Sequence, residues 1–460
     1  MRDLTQGSVT KTIIAMALPV AAGMIFQTMY LLVDLYFVAA LGDAAVAGVG
    51  AAGTLMFMIM AITQVLAVSA VALISQAVGS KQQEQANLVF NQSMLLAVLL
   101  GLVTLVGGYA FAGTFMGSIA ADSAARAEGV TFLYWFIPGM ALQFAMMGMA
   151  SALRATGIVK PGMIVQMLTV LLNTLLAPVL IAGWGPGPAL GVMGAGLAST
   201  ISVSVGIVLL ILYFVKLEKY VSFQWLQWKP DFHIWKRMVD IGLPAGGEML
   251  LAFVYFAIVY WLIQDFGAAS QAGFSIGGRI MQSIFMPTMA VAFAIGPIVG
   301  QNFGAHQHER VREAFHKGIL LNSLVMLVVT VFVHIDPDLM IRVFTDEAEV
   351  IAVGGGFLKI ISVNFVAQGI VFTCSGIFQG LGNTRPALMS SVFRLVIFMP
   401  IALLISRREG FAVNDIWYVS VLAVLIQAIM SYLLVRRELR LKLRRPPVPA
   451  SHQTPAVQSE

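Results

Sequence analysis

Leu18-Pro19-Val-Ala-Ala-Gly-Met24 returns as Leu243-Pro244-Ala-Gly-Gly-Glu248-Met249, 225 residues further along the chain. The same offset joins Gly42 to Gly267, Ala47-Gly48 to Ala272-Gly273, Gly53 to Gly278 and Met56 to Met281. It continues through Gln76 and Gln301, Gly79 and Gly304, Glu84 and Glu309, and Phe90 and Phe315. It is still in register at Phe132-Leu133 and Phe357-Leu358, Gly157 and Gly382, and Pro161 and Pro386. A few such matches arise by chance, but glycines and prolines do not hold one register over about 140 positions by chance. The chain is two copies of one unit, and duplicated membrane halves with a substrate site between them are a recurring transporter plan.

Composition says what the unit is made of. Of 460 residues, 59% are hydrophobic and 11% charged, where a soluble domain carries about 25% charged residues. Apolar runs long enough for a roughly 30 Å hydrocarbon core recur at 13–40, 46–75, 88–115, 130–152, 161–183, 190–215, 238–264, 272–302, 315–335, 356–380, 386–406 and 414–435. Their periodicity is helical or absent, not the two-residue alternation of a membrane barrel. The expected fold is an all-α polytopic membrane protein with twelve transmembrane helices in two pseudo-symmetric six-helix lobes. The N-lobe is expected over 1–215, a linker over 216–237, the C-lobe over 238–436, and a Pro-rich, polar, disordered tail over 437–460.

With an even number of helices per half, the halves relate by an axis along the membrane normal. Lys11, Lys81, Arg154, Lys160, Lys216, Lys229, Arg310, Arg385 and the tail arginines fall on one side. The other side has only Arg126, Arg342, Arg407 and Arg408, with an acidic run from Asp336 to Glu349. The positive-inside rule then puts both termini in the cytoplasm. The net charge of +5 reflects this topology, and no basic surface interleaved with aromatics suggests nucleic acid. The single cysteine, Cys374, excludes an intrachain disulfide. The first apolar run is too long for a signal-peptide core and is expected to remain as helix 1. Trp225 and Trp228 in the linker read as interfacial anchors of a strap along the membrane surface. The 26 Met and 29 Phe residues are mostly core and lipid contacts, with some left to line an adaptable apolar cavity.

Two enzyme-like patterns fail on context. Gly48-Val-Gly50-Ala-Ala-Gly53 matches a dinucleotide fingerprint but lies in a membrane helix with no preceding strand. Gly273-Phe-Ser275-Ile-Gly277 matches a nucleophile elbow but lies in helix 8 without the strand–turn–helix that the motif requires. No Gly-Lys dipeptide occurs, so the chain has no P-loop, and the histidines lack metal-ligand spacing. Energy for any pumping must come from an ion gradient.

Ionisable groups within apolar runs carry more information, because each is costly in hydrocarbon unless paired, hydrated or functional. Asp34 stands in the first run. Gln27, Tyr30 and Asp34, at i, i+3 and i+7, share one helix face, and a polar stripe on an apolar helix is expected to face a water-filled cavity. The repeat mate of Asp34 is Val259, so this carboxylate belongs to one half only, and it suits a proton carrier. Glu248, four residues after Pro244, is the candidate acid of the C-half; Arg279 and Arg394 are the cations that would make it merely structural. Pro178, Pro287 and Pro297 mark helix bends.

At these residues the chain resembles the multidrug and toxic compound extrusion (MATE) family over nearly its whole length. The resemblance rests on the Leu-Pro starts of helices 1 and 7, the helix 1 aspartate, and Gln76-Ala-Val-Gly79 with Gln301-Asn-Phe-Gly304. It extends to Arg154-Ala-Thr-Gly157…Pro161 with Gly380-Leu-Gly-Asn-Thr-Arg-Pro386. It implies a V-shaped pair of lobes that exports amphipathic, often cationic, compounds in exchange for H⁺ or Na⁺, with no cofactor beyond the coupling ion. From the DinF-like and archaeal branch it implies an ion-coupling cluster of Gln27, Tyr30, Asp34, Asn173 and Thr200, of which Asp34, Asn173 and Thr200 would serve sodium. The chain departs at Ala177-Pro178, where that branch often has Asp-Pro, and so lacks a second acid. It departs from the NorM-like C-lobe site at Gln368 and Ala252, leaving Glu248 one turn earlier. With one N-lobe acid, proton coupling is favoured over sodium. Tyr36, Glu248, Met249 and Gln368, with Asp34, are the expected substrate contacts. A monomer in the bacterial inner membrane is expected. The alternative is a lipid-linked oligosaccharide flippase of the same superfamily, for which only Arg279 and Arg394 would be available to hold pyrophosphate; no convergent set of groups supports an enzyme.

Overall fold

The computed structural model of the protein describes residues 2–120, 122–184 and 187–443, the side chains of 28–35 excepted. Helix is the only regular structure among them. The first half contains α1 (Val9–Ala39), α2 (Asp43–Gly79), α3 (Gln83–Ile119), α4 (Ser123–Ala155), α5 (Lys160–Ala182) and α6 (Val192–Lys216). The second contains α7 (Phe232–Leu262), α8 (Ala268–Gly304), α9 (His308–Ile335), a short α10 (Pro337–Arg342), α11 (Ala348–Ile361), α12 (Phe365–Gly380), α13 (Arg385–Ser406) and α14 (Val413–Lys442). A 3-10 turn at Ser362–Asn364 joins α11 and α12 into one span. Counted so, twelve helices among the described residues are long and apolar enough to cross a membrane, and they fall in order on the twelve apolar runs of the sequence. The disordered tail expected from 437 does not begin there, because α14 continues to Lys442, and the residues beyond Leu443 lie outside the described residues.

Packing repeats as the sequence does. α2 lies against α3 and α4, as α8 lies against α9, α11 and α12. α1 lies against α5, as α7 lies against α13. Gly48, Gly273 and Gly277 of the enzyme-like patterns are packing residues: a Cβ on Gly48 would come within 2.5 Å of the Ala125 carbonyl, one on Gly273 within 2.9 Å of the Gly354 amide and one on Gly277 within 2.5 Å of the Phe357 ring, while Gly50 and Gly53 have nothing within 4 Å among the described residues. Close backbone approach through small residues replaces the hydrophobic drive that lipid cannot supply. Apolar clusters fill each half, around stacked Phe90 and Phe214 in the first and Phe274 and Trp417 in the second.

Across the pseudo-twofold, α1 rests on α8 and α7 on α2, and α2 meets α8. The repeated Gln-x-x-Gly motif makes this crossing. A Cβ on Gly79 would stand 1.9 Å from the Gln301 carbonyl oxygen, and one on Gly304 would stand 2.1 Å from that of Gln76. Each glutamine also reaches into the opposite half: Gln76 Nε2 donates to the Gly380 carbonyl (2.9 Å) and Gln301 Nε2 to that of Ala155 (2.8 Å). Ala155 and Gly380 are themselves repeat mates at the C-termini of α4 and α12, where carbonyls lack intrahelical partners. Just beyond them, Gly157 (φ +79°) and Gly382 (φ +68°) make the left-handed turns into α5 and α13, a conformation that glycine adopts without steric cost.

The N-terminal segment closes the same end. Leu4 is fully buried; its amide donates to Gln301 Oε1 (2.9 Å) and its carbonyl accepts from Asn302 Nδ2 (3.1 Å). The Arg2 amide donates to the Thr156 carbonyl (2.8 Å), so residues 2–7 join both halves. Within the segment, the hydroxyl and amide of Thr5 donate to Asp3 and hold its carboxyl below the usual range.

Between the halves, residues 217–231 form a strap clamped to α3. The Asn87 and Asn91 side-chain oxygens accept from the Ser222 and Gln224 amides (both 2.9 Å). Asn91 Oδ1 also accepts from Trp228 Nε1 (3.1 Å). Gln92 Nε2 donates to the carbonyls of Gln227 and Lys229 (2.6 and 2.7 Å). Trp225 (79% exposed) and Leu226 (91%) project outward, as interfacial anchors would. The strap is shorter than the 216–237 expected, because Asp231 caps α7 through the amides of His233 and Ile234. Lys236 and Arg237 therefore sit on a helix emerging from the apolar layer. Asn91→Ala would leave the Gln224 amide and the Trp228 indole unpaired. It is expected to cost about 2–3 kcal/mol, read as a lowered melting midpoint in detergent; an unchanged midpoint would mean the strap is held elsewhere.

Candidate functional site

In the first half, α1 and α5 are the first and fifth of alternating spans and so run in the same direction. They are tied side by side where Gln166 Nε2 donates to Gln27 Oε1 (3.3 Å). Seven residues further along each helix, about 10 Å at 1.5 Å per residue, come positions 34 and 173. Position 34 therefore lies level with Asn173. The side chains of Tyr30 and Asp34 lie outside the described residues.

Asn173 is 1% exposed. Its Nδ2 donates to Ser199 Oγ on α6 (3.2 Å), while its Oδ1 is buried without a partner among the described residues. Ser202 Oγ, one turn along α6 from Ser199, is likewise buried and without a partner among the described residues. An unsatisfied buried acceptor costs about 1–3 kcal/mol, which a protonated group or a small cation would recover. Ala177, in the position where a second acid would stand, is fully buried among apolar neighbours.

Thr200 does not join this wall. Its hydroxyl donates to the Trp135 carbonyl (2.5 Å) and accepts from the Gly139 amide (3.2 Å). It thus stands in for the 139-to-135 rung of α4 beside Pro138, a local distortion of the kind that a proline introduces. The sequence marks Thr200 as polar in an apolar run, but nothing in it says that the hydroxyl is spent on a neighbouring helix.

In the second half, Glu248 on α7 accepts from Ser375 Oγ on α12 (3.0 Å), and Gln379 Nε2 donates to the same hydroxyl (3.4 Å). Among the described residues no ion pair joins Glu248 to Arg279 or Arg394. Arg279 is exposed; Arg394 lies 4.2 Å from the centre of the Tyr255 ring and reaches Gln427 Oε1 (3.5 Å). Met249 and Gln368 are half-buried, and Gln368 lies seven residues, two turns, from Ser375 along α12. Tyr36 stands near the opposite end of α1, 71% exposed, with its ring edge-on to Phe37, which in turn meets Trp184. The expected substrate contacts thus come from both halves and from several depths along their helices. No cluster of three or more His, Cys, Asp or Glu converges among the described residues.

Gln166, Ser199 and Ser375 are absent from the sequence reading. Gln166 left a usable signal, since Gln27 and Asp34 have the same seven-residue spacing as Gln166 and Asn173 on parallel helices. The two serines left none, because serine is common in membrane helices and serves packing equally well.

Comparison with known proteins agrees with this architecture. The family model MatE matches residues 19–179 and 244–404, two stretches 225 residues apart. The chain is 24% identical over 403 residues to the probable multidrug resistance protein YoeA of Bacillus subtilis, covering 85% of this chain and 86% of that protein. It is 25% identical over 388 residues to the probable multidrug resistance protein NorM of Thermotoga maritima, covering 83% and 82%. With the multidrug export protein MepA of Staphylococcus aureus it shares 24% over 410 residues, covering 87% and 88%. A solved MOP superfamily transporter from Pyrococcus furiosus superposes with a TM-score of 0.90 at 23% identity, over 96% of this chain and 98% of that one. An outward-facing multidrug resistance transporter structure matches with the same score, identity and coverage.

Proposed function

The chain belongs to the MatE family, and from that premise we propose that it is a secondary active exporter of small amphipathic cations, driven by protons that Asp34 takes up and releases. The names of its bacterial relatives, multidrug resistance and multidrug export proteins, support the export of drugs. Its bacterial relatives support a bacterial plasma membrane, and the distribution of Lys and Arg supports both termini in the cytoplasm.

The observation that carries the coupling step is the orphaned Oδ1 of Asn173, level with position 34 on the helix tied to α1. When Asp34 is ionised, the wall around Asn173 offers oxygens and no cation. When Asp34 is protonated, its hydroxyl becomes a donor for which Asn173 Oδ1 is an acceptor. Proton uptake would then draw α1 toward α5, and release would free it. Sodium would want several oxygens at once; Thr200 is occupied by α4 and Ala177 supplies none, so the proton is the better fit. The ties among Gln76, Gln301, Leu4 and the α4 and α12 ends support reading this arrangement as closed toward the cytoplasm. Alternating access requires those ties to break and re-form. The flippase reading is disfavoured because Arg394 is already engaged by Tyr255 and Gln427.

Reconstitution in liposomes, with efflux of a fluorescent cationic dye followed under a proton or a sodium gradient, tests the proposal. Transport driven by ΔpH alone supports it; transport driven by sodium alone overturns the proton assignment. Asn173→Leu, close in volume, separates coupling from architecture. It is expected to leave the melting midpoint unchanged or raised, because an unsatisfied oxygen is removed, while slowing efflux about tenfold or more, the equivalent of losing about 1.4 kcal/mol.

A further inference from the structure

At the end of the molecule that carries both termini, the turn between α8 and α9, the first turn of α9, Thr5 and the last turn of α14 surround a cleft of about 920 Å³. Its lining is basic. Arg310, Arg312, Arg440, His306 and His308 face one acid, Glu309, and that acid is paired with Arg312 at 2.5 Å. The remaining cations of the lining make no ion pair among the described residues, and Asp3, in the N-terminal segment, is the other acid near enough to feel Arg310. Arg310 is held in place by neutral groups: its Nε donates to Asn302 Oδ1 and its Nη1 to the Gly7 carbonyl, both at 2.9 Å. Its Nη2 is buried and without a hydrogen-bond partner among the described residues. A guanidinium fixed on two sides with its third nitrogen unused suits a phosphate oxygen.

A second, smaller groove of about 250 Å³ adjoins it, lined by Leu433, Arg436, Arg437, Arg440 and Leu441. Arg440 borders both. Leu433 and Leu441 are 56% and 57% exposed, on a helix that has just crossed the apolar layer. Arginines beside exposed leucines at the depth where α9 and α14 emerge match an amphiphile with a phosphate head and acyl chains. A free phosphate would use the arginines and leave the leucines without a role.

We propose that this cleft binds the headgroup of an anionic phospholipid from the adjoining leaflet, with the phosphate at Arg310 and Arg440 and the chains against Leu433. The site spans the ties that close this end. Arg310 holds the N-terminal segment through Gly7, and that segment is bonded to Thr156 of the first half and to Gln301 of the second. A bound lipid therefore stabilises the closed arrangement whichever ion or substrate the protein moves.

The test uses the full-length protein in nanodiscs of phosphatidylcholine alone or with graded phosphatidylglycerol, reading the melting midpoint, and with inorganic phosphate in a separate arm. Phosphatidylglycerol is expected to raise the midpoint saturably and millimolar phosphate to leave it unchanged. Arg310→Gln is expected to abolish the lipid response, but it also loosens the N-terminal segment. Arg440→Gln and Arg437→Gln avoid that difficulty, since both arginines are exposed. Each is expected to weaken the lipid response about fivefold, as loss of one arginine near an anionic surface does, with the midpoint in phosphatidylcholine unchanged. Equal midpoints in the two lipids, or an Arg440→Gln response equal to wild type, would overturn the site. The same rise with inorganic phosphate would reassign it to a soluble anion and overturn the lipid.

Discussion

Asp34→Asn is expected to bring gradient-driven dye efflux down to the level of protein-free liposomes while the protein stays folded. Asparagine keeps the shape of aspartate and can still hydrogen-bond, but it cannot carry a proton. A carboxylate in an apolar helix is expensive unless it is functional or paired, and the described residues offer α1 no cation in its own half at this depth. The helix stays continuous from Val9 to Ala39, so removing the charge removes no element of the fold. The melting midpoint should stay level or rise. Glu248→Gln makes the control, because Glu248 has a hydroxyl partner in Ser375 and belongs to the other half; it is expected to slow efflux without uncoupling it from ΔpH. Full efflux by Asp34→Asn at normal expression would remove Asp34 from the coupling step and turn attention to Glu248.

The duplicated frame was legible in the sequence because its evidence is periodic and redundant. Twelve apolar runs and one offset of 225 residues each announce the fold, and the residues that repeat are those the crossing of α2 and α8 cannot do without. Gln76 and Gln301 reach across to the opposite half, Gly79 and Gly304 seat on a carbonyl, and Gly157 and Gly382 turn left-handed. The candidate site was less legible because it breaks the repeat: Asp34 pairs with Val259, Asn173 with Phe398, and Glu248 with Gly23. Asymmetry identifies such residues as unusual without saying what they touch. Thr200 is the instructive case, since its identity suits an ion ligand and its geometry gives it to α4. The ends of α7 and α14 differ from expectation for a similar reason, because Lys236 and Arg237 fall in the expected linker and Arg437 in the expected tail while long cationic side chains let a helix run on past the apolar layer.

Gly304→Ala or Gly79→Ala is expected to hold the protein open at the terminus-bearing end. Each added methyl would sit 2.1 or 1.9 Å from a backbone carbonyl oxygen of the facing helix. That oxygen has no rotamer by which to move aside, so α2 and α8 must separate. Overpacking of this kind costs about 1–3 kcal/mol or more, charged only to the arrangement in which the two helices touch. About 2 kcal/mol shifts a two-state equilibrium roughly 30-fold, enough to turn a closed majority into an open one. Spin labels at Glu84 and Glu309, exposed repeat mates at the starts of α3 and α9, should report a longer distance and a broader distribution in either variant on a Cys374→Ala background. Efflux should fall in parallel, since a transporter that cannot close toward the cytoplasm cannot release outward. The pseudo-symmetry makes a further demand: because the two glycines face equivalent oxygens across one axis, the two variants should act alike. An unchanged distance in both would mean that the helices absorb the methyl locally, and that the crossing is not what holds this end shut.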